Sequence, residues 1–317
     1  AIHRRPGERG IGRGDDGPIR WGDQLRFGRG LGTFLQARIG GSLAAGASAH
    51  ETIVAPPLQS LDSDRQDFAR LWDDADLRPD EIKIYPCQLL PATGLEQAWR
   101  RGEYQPYTTA ELVALLADVK PGIPRYCRVN RVIRDIPSTN VVEGNKRTSL
   151  RMDVHQEMKR RGTRCQCVRC REVRSQQVQE GELVYDDLVF SAGAAQEHFL
   201  SFNTPDDRLA GFLRLSLPGA GSPETGLADL RGAAIIREVH VYGQSLEVGS
   251  EQNGAAQHLG LGTELIRRAE QLASQHGYPR LAVIAAVGTR QYYLGRGFER
   301  GERYLVKTLQ ESSMSHS

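Results

Sequence analysis

The stretch AAQHLGLGTELIRRAEQLA, Ala255 to Ala273, decides the fold of the second half of the chain. Gly260 and Gly262 stand directly before a helical pattern in which Leu261, Leu265, Ile266, Ala269, Leu272 and Ala273 share one face. Glycines at the mouth of a helix let a ligand approach the main chain closely. The unpaired N–H groups of the first turn then bind phosphate oxygens. The run Q-x-x-G-x-G lacks the Gly-Lys-Ser/Thr end of a P-loop and the spacing of G-x-G-x-x-G. It suits a pyrophosphate that needs no lysine. Taken alone, it is met equally well by a plain turn before a helix.

The surroundings add weight. ELVYDDLVF, EHFLSF, LAGFLRLSL and AAIIREVHVYG read as strands before the turn. RLAVIAAV (280–287) reads as a strand after the helix, followed by a short helix in TRQYYLGRG and a last strand in RYLVK. This predicts an α+β domain over 181–317. Further upstream, DRQDFARLW, GLEQAWRRG and TTAELVALLADVK read as helices, with Thr108 or Thr109 capping the third and Pro121 stopping it. EIKIYPC (81–87) and RYCRVNRVIRDIP (125–137) read as strands, which makes 58–140 a piece of an α/β layer. A helix is expected over 149–162. Residues 1–57 are rich in Gly and Arg, then in Gly, Ala and Ser. No packed core is expected there, and disorder is the favoured reading over an RNA-binding RG segment.

The chain has 317 residues, enough for two domains with a core in each. No apolar run of about 18 residues offers a membrane span, and no secretory leader is read. A cytoplasmic location without a membrane partner is expected; a homo-oligomer stays open. Net charge is only +2, yet Lys120 to Arg174 carries a roughly threefold excess of Lys and Arg over Asp and Glu. Such a block points to a polyanionic partner, with a solvated basic helix face as the plainer alternative. The candidate contacts are Arg128, Arg131, Lys146, Arg147, Lys159, Arg160, Arg161 and Arg164.

Cys165, Cys167 and Cys170 form C-x-C-x-x-C inside a basic segment, 141–180, that reads as a linker. In a reducing compartment so tight a cluster reads as a metal site before it reads as disulfides; three unligated thiols are the alternative. Three thiolates hold zinc when a fourth ligand closes the tetrahedron. His155, Cys127 and Cys87 are the candidates, and the sequence does not choose. Arg164, Arg169 and Arg171 favour the thiolate form.

At the glycine turn the sequence resembles the GCN5-related N-acetyltransferase family. That family has Q/R-x-x-G-x-G/A at the start of a helix, after a strand whose open edge carries pantetheine. The resemblance implies that Glu238, Val239, His240 and Val241 offer main-chain groups to the pantetheine of acetyl-CoA. Gln257 belongs to the same motif, and Gly260, Leu261, Gly262, Thr263, Glu264 and Leu265 hold the pyrophosphate. It places Tyr292 and Tyr293 at the thioester as catalytic residues, Tyr293 also touching acetyl-CoA. A tyrosine there can protonate the leaving thiolate.

Six longer strings point further: DEIKIYPCQLLPATGLEQAWRRGEYQPYT, RVNRVIRDIPSTNVVEGN, GTRCQCVRCREV, IIREVHVYG, QHLGLGTELI and GTRQYYLGRGFERGERYLVK. Together they resemble the catalytic subunit of Elongator in its single-chain bacterial or archaeal form, over roughly residues 60–308. The implied fold class is α/β plus α+β: the C-terminal part of a radical-SAM (β/α) barrel, a zinc-bearing linker, and a GNAT acetyltransferase domain. The implied activity modifies the wobble uridine of tRNA. A carbon radical on the acetyl group adds to C5, and thioester hydrolysis leaves 5-carboxymethyluridine. S-adenosylmethionine and a [4Fe–4S] cluster are expected for the family. The C-x-x-x-C-x-x-C that would hold the cluster is absent, and no cysteine precedes Cys87. Only part of the activity is therefore expected. The alternatives are a stand-alone acetyltransferase acting on an amine, with Glu238 or His240 as base, and a non-catalytic tRNA-binding remnant.

Overall fold

A computed structural model describes residues 60–309, apart from 135, 175–177, 179 and 243–259, together with two backbone strands upstream. These two, β1 (Thr33–Arg38) and β2 (His50–Val54), pair antiparallel. They correct the expectation that 1–57 lacks ordered elements: TFLQAR and HETIV carry the aromatic and β-branched residues that suit a pleated strand. The rest of that leader lies outside the described residues.

The first half continues with α1 (Leu61–Asp73), β3 (Glu81–Pro86), β4 (Gln88–Leu89), α2 (Gly94–Arg100), α3 (Thr109–Val119), β5 (Arg128–Arg131), β6 (Glu143–Gly144) and α4 (Leu150–Arg160). Thr108 is the residue that caps α3, in a reciprocal capping box with Glu111. In β3 burial alternates, which seats Ile82 and Ile84 in the core. β3 and β5 pair parallel, as a barrel fragment requires, whereas β1 runs antiparallel to β3 and departs from that order. β5 is shorter than the sequence suggests, because a turn from the Cys127 N–H to the Pro124 carbonyl (3.0 Å) occupies its start. The short helix α5 (Val168–Arg171) follows within the cysteine segment.

The second half contains β7 (Val184–Ala192), β8 (Ala195–Asn203), β9 (Leu209–Pro218), β10 (Ala233–Val241), α6 (Leu261–Gln275), β11 (Arg280–Val283), α7 (Arg290–Leu294), β12 (Glu299–Arg300) and β13 (Leu305–Thr308). Its seven-stranded sheet runs β12-β13-β11-β10-β9-β8-β7, and only β10 and β11 pair parallel. α6 buries Leu261, Leu265, Ile266, Ala269 and Ala273 against β8 to β11, leaving Leu272 half-buried.

The two halves share one hydrophobic core, which runs from Ile82 and Leu116 through Val168 to Phe199 and Leu213. A buried ionic network closes the seam. Asp80, 4% exposed, accepts from Arg214 at 3.2 Å and from both ends of the Arg237 guanidinium. Arg214 also donates to the Tyr126 carbonyl (2.7 Å) and to Glu238 (2.9 Å). Arg237 reaches Glu197 (2.7 Å), whose other oxygen accepts from the Ser216 hydroxyl. Tyr126 stacks flat on Phe190, with centroids 3.9 Å apart. Removing one partner from a buried ion network strands the others, which costs about 3–5 kcal/mol. Asp80→Ala should therefore lose stability of that order in urea unfolding. An unchanged midpoint would mean the network does not hold the halves together.

Candidate functional site

β10 pairs with β9 as far as Val241 opposite Gly211, but with β11 only from Ala233 to Ile236. β11 ends at Val283, four residues into the run read as a strand over 280–287, and a 3-10 turn takes over at Val287. The β11-side edge of Arg237–Val241 therefore has no strand partner among the described residues. A bulge between Ile236 and Glu238 sits where the strands part. This makes a wedge with free main-chain groups on one wall.

The N-terminus of α6 stands at the mouth of the wedge. Gly260 has φ +66, a left-handed conformation that glycine adopts freely. A Cβ on Gly262 would lie 2.6 Å from the Tyr292 hydroxyl and 3.7 Å from Val241. The glycine thus lets strand, helix and tyrosine converge. The Thr263 and Glu264 N–H groups already bond to the Gly260 carbonyl. Among the described residues, the N–H groups of Leu261 and Gly262 have no main-chain acceptor and are the donors open to a ligand.

The expected ligand-contacting residues divide. The Glu238 carboxylate is committed to Arg214, so it is no free base. Glu264 is tied to Arg267 and Arg268, which hold its carboxyl below the usual range. Leu265 packs into the core. Tyr293, 7% exposed, stacks edge-on against Phe298, and burial pushes its hydroxyl up to about 12. Tyr292 faces the turn. His240 stacks on Phe212 and meets Tyr242 at a tilt, and desolvation of its ring lowers its pKa. Gln257 lies outside the described residues. Sequence reading missed Arg296, whose guanidinium lies 3.5 Å from the Tyr292 ring centroid and donates to the Thr263 hydroxyl at 2.6 Å. Its spacing of four from Tyr292 across a helical turn was the available signal.

A second constellation lies in the linker. The sulfurs of Cys165, Cys167 and Cys170 all lie within 4.8 Å of one another. The His155 Nε2 is 3.6 Å from the Cys170 sulfur. Bond lengths at a tetrahedral zinc give an S···N edge of about 3.6 Å. Of the three fourth-ligand candidates, His155 is thus brought to the cluster. Cys127 is fully buried in the core, and Cys87 packs with Leu89 and Tyr104 in a satellite cluster. Hydrogen bonds from Cys165 and Cys170 hold the Cys167 thiol well below its usual range. Arg171 points away from the sulfurs, donating to Asn203 and to the Arg125 carbonyl. A cleft of about 770 Å³ opens beside the cluster, with Lys159, Arg164 and Arg208 among its walls.

The basic residues also divide. Lys146, Arg147, Lys159, Arg160 and Arg164 are exposed, although Arg147, Arg160 and Arg164 each have an acidic neighbour. Arg131 is exposed too. Arg161 bridges Asp118 and Glu157. Arg128 corrects the expectation of an RNA contact: it pairs with Glu172 and donates to the Tyr242 hydroxyl at 2.7 Å, joining β5 to the end of β10.

Residues 79–160 match the Radical_SAM C-terminal domain family. The tRNA uridine(34) acetyltransferase of Dehalococcoides mccartyi is 38% identical over 243 residues, covering 75% of this chain and 53% of that protein. Elongator complex protein 3 of Danio rerio is 38% identical over 262 residues, covering 80% and 47%. The solved archaeal Elp3 of Methanocaldococcus infernus, with residues 1–46 deleted, superposes with a TM-score of 0.73 at 31% identity, covering 80% of this chain and 61% of that one. Over most of its length, the chain belongs to the Elongator complex protein 3 family. It spans about half the length of the curated relatives it matches. No helix among its described residues is long and apolar enough to cross a membrane.

Within this Elongator-family chain, Arg128 and Lys146 should respond differently to truncation. Arg128→Ala should lower stability by about 1.5–3 kcal/mol, the worth of a hydrogen bond to a charged group. Lys146→Ala should leave it unchanged in the same thermal melt. Equal melting of both variants would return Arg128 to the surface set.

Proposed function

We propose that this chain binds acetyl-CoA in the wedge between β10 and β11 and serves an Elongator-type acyl transfer to the wobble uridine of tRNA. The parting of the two strands, with the glycine turn of α6 and Tyr292 at its mouth, is the observation that carries this reading. The seven-stranded half is a GNAT acetyltransferase domain in this account. The free edge of Glu238–Val241 offers main-chain groups to the pantetheine amides. The Leu261 and Gly262 N–H groups meet the pyrophosphate, and Arg296 adds a cation at the same turn. In the hydrolytic step water adds to the thioester carbonyl, and the C–S bond breaks to leave a carboxylate. The leaving thiolate takes its proton from the Tyr292 hydroxyl, and a proton lost by the water returns the tyrosinate to its neutral form. The names of the relatives support tRNA as the partner, and the exposed Lys146, Arg147, Lys159, Arg160 and Arg164 would track its phosphates.

Zinc suits the linker centre: three clustered thiols supply three ligands, and His155, 3.6 Å from the Cys170 sulfur, is the candidate fourth. Zinc held there would pin α4 to the α5 turn. A [4Fe–4S] cluster does not suit the described cysteines. Cys87 packs in a separate satellite cluster, the Cys127 sulfur is not part of the sulfur cluster although its backbone bonds to Val168, and the trio has C-x-C-x-x-C spacing.

Acetyl-CoA titration and hydrolysis assays with and without tRNA test the acyl part. Tyr292→Phe should keep acetyl-CoA affinity and lose turnover by about 100-fold. Wild-type protein that fails to bind acetyl-CoA would end the reading, and turnover indifferent to tRNA would end its RNA part. Metal analysis should find about one zinc per chain, lost in Cys167→Ser and His155→Ala and kept in Cys87→Ser. A metal-free wild type would remove the zinc assignment.

A further inference from the structure

Lys120 is fully buried, at 0% exposure. It follows α3 in a 3-10 turn, Lys120–Gly122, where Pro121 ends the helix and turns the chain inward. Its Nζ has no hydrogen-bond partner among the described residues. An ammonium taken out of water without a partner costs several kcal/mol, so such a group is rare unless something offsets it. Asp118, two residues before Lys120, pairs with Arg161, four residues before Cys165, so the end of α3 is tied to the start of the cysteine segment. The charge of Lys120 acts on Cys165, Cys167 and His155. Arg151 and Arg171 are further cations near these thiols, but Arg151 already donates to the Val129 carbonyl at 3.0 Å and Arg171 to Gln166, Asn203 and Arg125.

The charge balance explains the pairing. A divalent ion held by three thiolates and a neutral imidazole carries one net negative charge. One buried ammonium cancels it. We propose that Lys120 is the counter-cation of the Cys165–Cys167–Cys170 metal centre, a positioning residue whose buried charge neutralises the loaded site. The inference rests on the zinc reading above. It also accounts for a lysine at a position that an apolar residue would otherwise fill.

Chelator competition on the full chain measures zinc affinity, and Co²⁺ substitution reports the ligand set through its absorption bands. Lys120→Met should weaken zinc binding by at least about tenfold, the usual size of an outer-shell loss. The Co²⁺ spectrum should keep its thiolate charge-transfer and tetrahedral bands, because the four ligands remain. The metal-free Lys120→Met protein should melt no lower than metal-free wild type, since an apolar chain replaces a lone ammonium. Lys120→Arg, which keeps the charge, should bind zinc more tightly than Lys120→Met. Equal zinc affinity in wild type and Lys120→Met overturns the proposal, as does a loss in Lys120→Arg as large as in Lys120→Met. Wild-type protein that takes up neither zinc nor cobalt overturns the metal reading itself, a distinct result.

Discussion

The carboxylate of Asp80, buried between the guanidinium groups of Arg214 and Arg237, fixes how the two halves of the chain meet. Asp80 precedes β3 in the barrel-like half, while the two arginines stand on β9 and β10 of the large sheet. Every further acceptor in the network is shared across strands: Glu197 with Arg237 and Ser216, Glu238 with Arg214. Burial raises the Glu197 pKa despite its cationic neighbour, so the network is costly to desolvate. Its value lies in specificity, because only one docking satisfies all of its members.

That docking bears directly on the acyl site. Arg237 is the bulged residue of β10, and the bulge lies where β10 and β11 part. The side chain that anchors the seam therefore sits at the root of the wedge. The linker is equally fixed. The Val168 N–H bonds to the Cys127 carbonyl, Glu172 bridges to Leu209, and Arg171 is locked on Asn203. Linker, first half and seven-stranded half form one packed body, with the exposed basic residues and the cysteine cluster held on a common frame.

The glycine turn was legible because its signal is local: two glycines, one amphipathic face and a flanking strand. The cysteine trio was legible for the same reason. His155 could not be chosen over Cys87 or Cys127 from sequence, since the choice depends on how α4 packs. The inward packing of Arg128 and Tyr293 was not legible, because residue type alone does not say which face is inward. Arg128 looked like a phosphate contact but meets Glu172 and Tyr242 across the seam; Tyr293 looked like half of a catalytic pair but turns into the core. The network of Asp80, Arg214 and Arg237 joins positions more than a hundred residues apart and left no local trace.

Hydrogen–deuterium exchange with and without acetyl-CoA tests the central claim most directly. The account predicts new protection confined to the amides of Arg237–Val241 and the first turn of α6, with the Asp80 seam unchanged. Protection elsewhere, or none in these two segments at saturating acetyl-CoA, would contradict it.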